Sequence, residues 1–220
     1  MRTYFVTGTD TGVGKTFVSA GILASLRRRG VATAALKPVE TGCDPDAADG
    51  VVLRAAAGTA LVPHTYRLPV APAVAARLEG RPVSVEAIRA ALASLRADFC
   101  LVEGAGGLLV PYADDLLAAD LVAALALPLL VVARASLGTI NHTLLTLAEA
   151  RRRGLAVAGV ILNRVVADVA PDEAHNAGEI ERHARVRVLG TVPHVAGARD
   201  PLALADAVEL AFDPVSALLR

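Results

Sequence analysis

Gly8-Thr9-Asp10-Thr11-Gly12-Val13-Gly14-Lys15-Thr16 (GTDTGVGKT) follows directly on the short apolar run Tyr4-Phe5-Val6. The order is strand, glycine-rich loop, Gly-Lys-Thr, helix. Such a loop aims backbone N–H groups at phosphate oxygens, and the helix start adds its own free donors. Lys15 is placed to reach the β/γ oxygens, and the Thr16 hydroxyl to ligate Mg²⁺. The spacing departs from the common phosphate loop: five residues separate Gly8 from Gly14, and Thr9 holds the strict glycine position. The strand–loop–helix context supports the motif nonetheless.

Outward from this loop, apolar strands and helical stretches alternate. Strands are predicted over 3–7, 32–36, 99–103, 129–133, 156–162 and 186–191. Helices are predicted over 15–29, 47–57, 85–96, 116–126, 140–153, 172–184 and 202–210. Ser84 reads as a helix cap and Gly30 as a stop. Residues 59–82 carry Pro63, Pro69, Pro72 and Pro82 and read as irregular. Strands rich in Val, Leu and Ile between helices predict an α/β fold: a mostly parallel sheet of phosphate-loop type with helices on both faces, in one domain. Ligands of such sheets sit beyond the carboxyl ends of the strands. Lys37, Glu103, Asn163 and Pro193 fall at those ends, as the loop does.

Composition narrows the partners. The 22 basic residues balance 22 acidic ones, so no net field favours nucleic acid or an anionic membrane. Aromatic residues are 3%, too few for a base-stacking platform. The longest apolar run, Leu121 to Ala133, holds 13 residues and contains Pro128, short of a membrane span. Cys43 and Cys100 form neither a disulfide framework nor a CxxC pair, which fits a cytoplasmic protein.

Individual residues carry competing readings. Glu103 closes the apolar run Phe99–Val102 and precedes Gly104-Ala105-Gly106-Gly107, where a Walker-B-type Mg²⁺ ligand would sit; the plain alternative is a surface acid. Lys37, before Pro38, is either a solvated strand-end lysine or a charge stabiliser at a transferring phosphoryl group. Asp49 reads as a helix-dipole acid or a second Mg²⁺ ligand, and local sequence does not separate the two. Gly138-Thr139-Ile140-Asn141 reads as an ordinary helix cap or a carboxylate site. Asn163-Arg164 reads as a turn or as a holder of a base edge. The five histidines show no metal-ligand spacing.

Taken as an ordered set, GTDTGVGKT, LKPVETG (Leu36–Gly42), EGRP (Glu79–Pro82), LVEGAGGLLVP (Leu101–Pro111), LGTINHTLLT (Leu137–Thr146) and GTVPHV (Gly190–Val195) resemble the dethiobiotin synthetase family almost end to end. The resemblance implies an ATP- and Mg²⁺-dependent ligase of biotin biosynthesis. It would close a cyclic urea on 7,8-diaminononanoate with CO₂, through a carbamate and a carbamic-phosphoric anhydride. It implies Lys37 and Lys15 as catalytic cations and Thr16, Asp49 and Glu103 as Mg²⁺ ligands. It places Gly12, Val13, Gly14, Lys15, Thr16, Phe17, Gly104, Ala105 and Gly106 around the phosphates. Asn163, Arg164, Pro193, His194 and Val195 match nucleotide-contacting positions, with Asp200 a further one. Thr11 and Thr41 would meet substrate, Thr41 where the family usually carries serine. A homodimer is implied, with Gly138, Thr139 and Asn141 receiving the substrate carboxylate from the partner subunit.

Two other classes remain in view. A partitioning or positioning ATPase would share the fold but carry a second lysine where this chain has Asp10. A nucleotide-binding module without chemistry would have no use for Lys37 and Glu103 beside the phosphates.

Overall fold

Phe5 and Val6, apolar and buried, lie in the middle of a strand that runs to the glycine of the loop: β1, Arg2–Gly8. In the computed structural model, which describes residues 1–46, 48–196 and 200–219, β1 lies at the centre of a seven-stranded sheet. Its fellow strands are β2 (Thr33–Leu36), β4 (Ala60–Leu61), β6 (Phe99–Gly107), β9 (Leu129–Arg134), β10 (Val157–Asn163) and β11 (Val188–Val192). The order is β11-β10-β9-β1-β6-β2-β4, and every pairing within it is parallel. The chain steps from β1 past the place later filled by β6, then returns through β9 to the far side. That reversal places the mouth of a ligand crevice at the carboxyl end of β1.

Helices cover both faces, as the alternation predicts. On one face α1 (Lys15–Arg28), α2 (Ala48–Ala57) and α8 (Pro201–Ala211) pack around Val18, Ile22, Leu53 and Leu204. On the other, α4 (Val85–Ser94), α5 (Ala118–Leu125), α6 (Thr139–Arg152) and α7 (Glu173–Ala184) bury Ile88, Leu121, Leu147 and Ile180 against Phe5, Val102 and Val131. The α1–α8 contact is close because position 21 is glycine. A Cβ there would stand 2.5 Å from the Leu204 carbonyl oxygen and from a Val208 methyl.

The structure differs from the sequence expectation at several places. The segment 59–82 is not irregular: it holds β4, β5 (His64–Tyr66) and α3 (Pro72–Leu78). Pro72 opens that helix rather than breaking a structure, since a first-turn proline has no N–H to miss. Two short strands escaped notice, β3 (Val39–Thr41), which pairs with β5, and β7 (Pro111–Ala113), which pairs with β8 (Leu116–Leu117). Leu116 and Leu117 are thus strand, and the predicted helix begins at Ala118. The Ser84-capped helix stops at Ser94, two residues early, and β6 continues through its glycines to Gly107. A last helix, α9 (Pro214–Leu218), was not foreseen. Ala47, the predicted start of α2, lies outside the described residues.

Candidate nucleotide-binding and catalytic site

Strand register decides where the charged side chains go. Val6 of β1 pairs with Glu103 of β6, and Leu36 of β2 pairs with Val102. Lys37 therefore leaves β2 level with Glu103, and both stand at the height where β1 turns into the phosphate loop. The Lys37 ammonium donates to Glu103 Oε1 at 2.7 Å and to Asp49 Oδ2 at 2.5 Å. The Thr16 hydroxyl donates to the same Glu103 oxygen at 2.7 Å. Strand ends and the first turns of α1 and α2 thus converge on one cluster.

Thr16, Lys37 and Asp49 of this cluster line a cavity of about 410 Å³. Thr11, Gly12, Gly14, Lys15 and Thr16 line it from the loop, Lys37, Val39, Glu40 and Thr41 from the β2–β3 segment, and Asp49, Ala105 and Gly106 complete it. Gly14 is required by geometry on two counts. Its φ is 86°, and a Cβ there would fall 2.1 Å from Asn163 Nδ2. Gly104 serves packing instead of ligand approach: it does not line the cavity, and a Cβ would press on the Phe5 ring at 2.8 Å.

Burial sets the electrostatics. Removal from water lowers the Lys15 pKa, and nearby Lys37 adds to the fall against the opposing pull of Glu103. Lys37 is only 3% exposed, and burial alone would discharge it; Glu103 and Asp49 outweigh that and hold its ammonium above the ordinary lysine range. At Asp49, burial is likewise outweighed by Lys37, so its carboxyl sits below the usual range. The site therefore sets the Lys15 and Lys37 ammonium groups against the Glu103 and Asp49 carboxylates.

Among the described residues three buried side-chain polar atoms lack a partner, and two of them belong to this site. Glu103 Oε2 is one, beside the Thr16 hydroxyl and the Asp49 carboxylate, which themselves interact. Two carboxylates and a hydroxyl are hard oxygen donors, and an unsatisfied carboxylate oxygen among them fits Mg²⁺. Among the described residues no group of three or more His, Cys, Asp or Glu side chains could hold a metal ion. The other orphan is Asn163 Oδ1, whose amide nitrogen donates to the Val13 carbonyl at 2.9 Å. Asn163 is thereby fixed against the loop with a free acceptor.

The remaining expected residues separate. Phe17 and Val195 are partly buried, each packed against the core on the α1 face. Pro193 and His194 follow β11 and are half-buried, outside the cavity lining. Arg164 is engaged in an ion pair with Glu173 at 2.9 Å. Asp200 caps α8 by accepting from the Leu202 N–H. Gly138 and Asn141 are exposed at the start of α6, and Thr139 is buried there; none of the three lines the cavity.

Sequence reading missed three residues that shape the site. Arg134, at the end of β9, pairs with Asp10 of the loop at 2.8 Å. The fully buried Tyr112 hydroxyl accepts from the Ala105 N–H at 2.7 Å and so fixes the glycine-rich end of β6. Glu40 accepts from the Asp49 and Gly50 N–H groups at 2.7 and 3.0 Å. Glu40 adjoins Thr41 in the chain, whereas Arg134 comes beside Asn163 only through the pairing of β9 with β10.

Known proteins resemble this chain in sequence and in fold. A family model described as an AAA domain matches residues 2–201. The chain is 49% identical over 203 residues to the ATP-dependent dethiobiotin synthetase BioD of Anaeromyxobacter dehalogenans, covering 88% of this chain and 90% of that one. The enzyme of the same name from Bacillus subtilis is 40% identical over 206 residues, covering 89% of each. The chain belongs to the ATP-dependent dethiobiotin synthetase family. Membership makes it an ATP-using ligase. Among solved structures, a ParA family ATPase from Chlorobium tepidum superposes with a TM-score of 0.58 at 16% identity, over 99% of this chain and 93% of that one. The MinC:MinD complex of Aquifex aeolicus gives 0.57 at 14% identity, over 94% and 86%. At those identities the likeness is one of fold. No helix among the described residues is long and apolar enough to cross a membrane.

Proposed function

We propose that this dethiobiotin synthetase-family ligase carboxylates 7,8-diaminononanoate and closes the cyclic urea of dethiobiotin, converting ATP to ADP and phosphate. The observation that carries the reading is the Lys37–Glu103–Asp49–Thr16 cluster, set beside Lys15 at the mouth of the loop.

The chemistry runs in three balanced steps. One substrate amine adds to CO₂, losing a proton to give a carbamate. A carbamate oxygen attacks the γ-phosphorus of ATP, and the bond to the ADP oxygen breaks. The second amine attacks the carbonyl carbon of the mixed anhydride, expels phosphate and loses a proton as the ring closes. Such a sequence needs no covalent nucleophile from the protein. It needs cations where phosphoryl charge accumulates and two amines held near one carbon. Lys15 and Lys37 supply the cations, and Thr11 and Thr41 line the same cavity where the diamine would lie. Thr16, Asp49 and Glu103 would hold Mg²⁺, which when bound neutralises phosphate charge. Asn163, with its free Oδ1 against the loop, would accept from a base amine.

The active unit we propose is a homodimer. Leu109, Leu137 and Leu145 are exposed large apolar side chains near Thr9 and Asp10, and such a patch favours covering by a second copy. Gly138, Thr139 and Asn141 lie on this side, which fits their serving the partner's cavity. The rival partitioning ATPase is disfavoured by Asp10, whose carboxylate is taken up by Arg134 where that class would place a lysine.

The decisive experiment is steady-state ATP turnover with diamine and bicarbonate supplied separately and together. Turnover is expected only with both. Hydrolysis independent of the diamine would overturn the ligase reading in favour of a switch ATPase.

A further inference from the structure

Helix α2 opens with backbone N–H groups that no residue within its own first turn can satisfy. Two of them, at Asp49 and Gly50, are taken by a carboxylate from another element. Glu40 Oε1 accepts from Asp49 N at 2.7 Å and Oε2 from Gly50 N at 3.0 Å. Glu40 is only 6% exposed and belongs to β3, whose backbone is held by β5 through the pairing Glu40↔Thr65. A charged acceptor on two donors is stronger and more directional than a neutral cap. It ties the start of α2 to a strand.

The tie matters because Asp49 is both a capped residue and the partner of Lys37. Its backbone position decides whether its carboxylate reaches the ammonium and Thr16. Resting on the metal role proposed above for Asp49, we propose that Glu40 is a positioning residue. Its bidentate grip on the α2 N-terminus sets the Asp49 carboxylate at the metal-and-Lys37 cluster. The short segment 37–41 then carries the catalytic ammonium, the clamp for its counter-ion and the Thr41 hydroxyl, so one strand exit sets three groups relative to the loop.

The test compares Glu40→Ala and Glu40→Gln with wild type in the full chain. Hydrogen exchange at the Asp49 and Gly50 amides reads the clamp directly. Protection there should fall in the alanine variant while α1 amides stay as in wild type. Calorimetry of ATP binding in Mg²⁺ and in EDTA reads its consequence. The ratio of the two affinities should drop by about 10- to 100-fold, the usual cost of losing a partner that orients a ligand, with the EDTA affinity preserved. Glutamine keeps one acceptor and should fall between, and it serves if the alanine variant does not fold. Unchanged exchange at residues 49 and 50, or an equal loss of affinity with and without Mg²⁺, would overturn the proposal. Failure of the ligase reading would show separately, as wild-type turnover indifferent to the diamine with the amide protection intact.

Discussion

The two ends of α1 each carry a cluster of charge, and they could hardly differ more in what the charge does. At the amino end Lys15 and Thr16 face Lys37, Glu103 and Asp49, with Lys37 and Glu103 almost wholly out of water. At the carboxyl end Arg28 and Arg29 pair with Asp206, Glu209 and Asp213, with side chains a quarter to two-thirds exposed. The second cluster is the more numerous, yet water screens it and its pairs contribute little. The first bears a desolvation cost that only function or mutual compensation justifies. Number of ion pairs is thus a poor guide to importance, and burial is a good one.

The contrast is breakable. Lys37→Ala should lower kcat by roughly 10²–10³, the scale for losing one transition-state charge stabiliser, while ATP binding through Lys15 and the loop survives. Turnover within a few-fold of wild type would put the two ends on the same footing. Between the ends lies a purely steric contact. Gly21→Ala drives a methyl into the Leu204 carbonyl and should cost about 1–3 kcal/mol in urea unfolding, with kcat per folded enzyme unchanged.

The amino end should also reveal itself in protons. Lys15 is held below the ordinary lysine range by burial first and Lys37 second. In alkaline buffer below about pH 10.4 the free protein therefore binds fewer protons there than an unfolded chain would, and stability should rise with pH across that window. Triphosphate restores the charge, so ATP binding in that window should take up a fraction of a proton. Calorimetry in buffers of different ionisation heat would read it, and identical heats would remove Lys15 from the phosphate contact. The smallest effect is expected at the other end: Arg28→Ala should leave the urea midpoint within error of wild type.

Much of this was legible in the chain. The loop, the long helices and the Val-, Leu- and Ile-rich strands repeat local patterns, and the structure keeps nearly all of them. What was illegible was short or tertiary. Strands β3, β4, β5 and β7 have two or three residues each, too few for a period to show. Prolines such as Pro72 are ambiguous between breaker and helix opener until a neighbour is in place. At the site, Lys15, Lys37, Thr16 and Glu103 were readable as strand ends and a motif. Asp49 was not separable from an ordinary helix acid until the fold brought the start of α2 against the Lys37 ammonium. Glu40 and Tyr112 act on backbone amides in other elements, and no spacing in the chain announces such a bond.

Tyr112 carries one more implication. Because its hydroxyl already holds the Ala105 amide, the glycine-rich end of β6 offers an incoming molecule one donor fewer than its sequence promises. That side of the chamber is a rigid outline fixed when the chain folds. Discrimination there should follow bulk and contour, leaving analogues of equal size but different polarity to be sorted by the opposite rim.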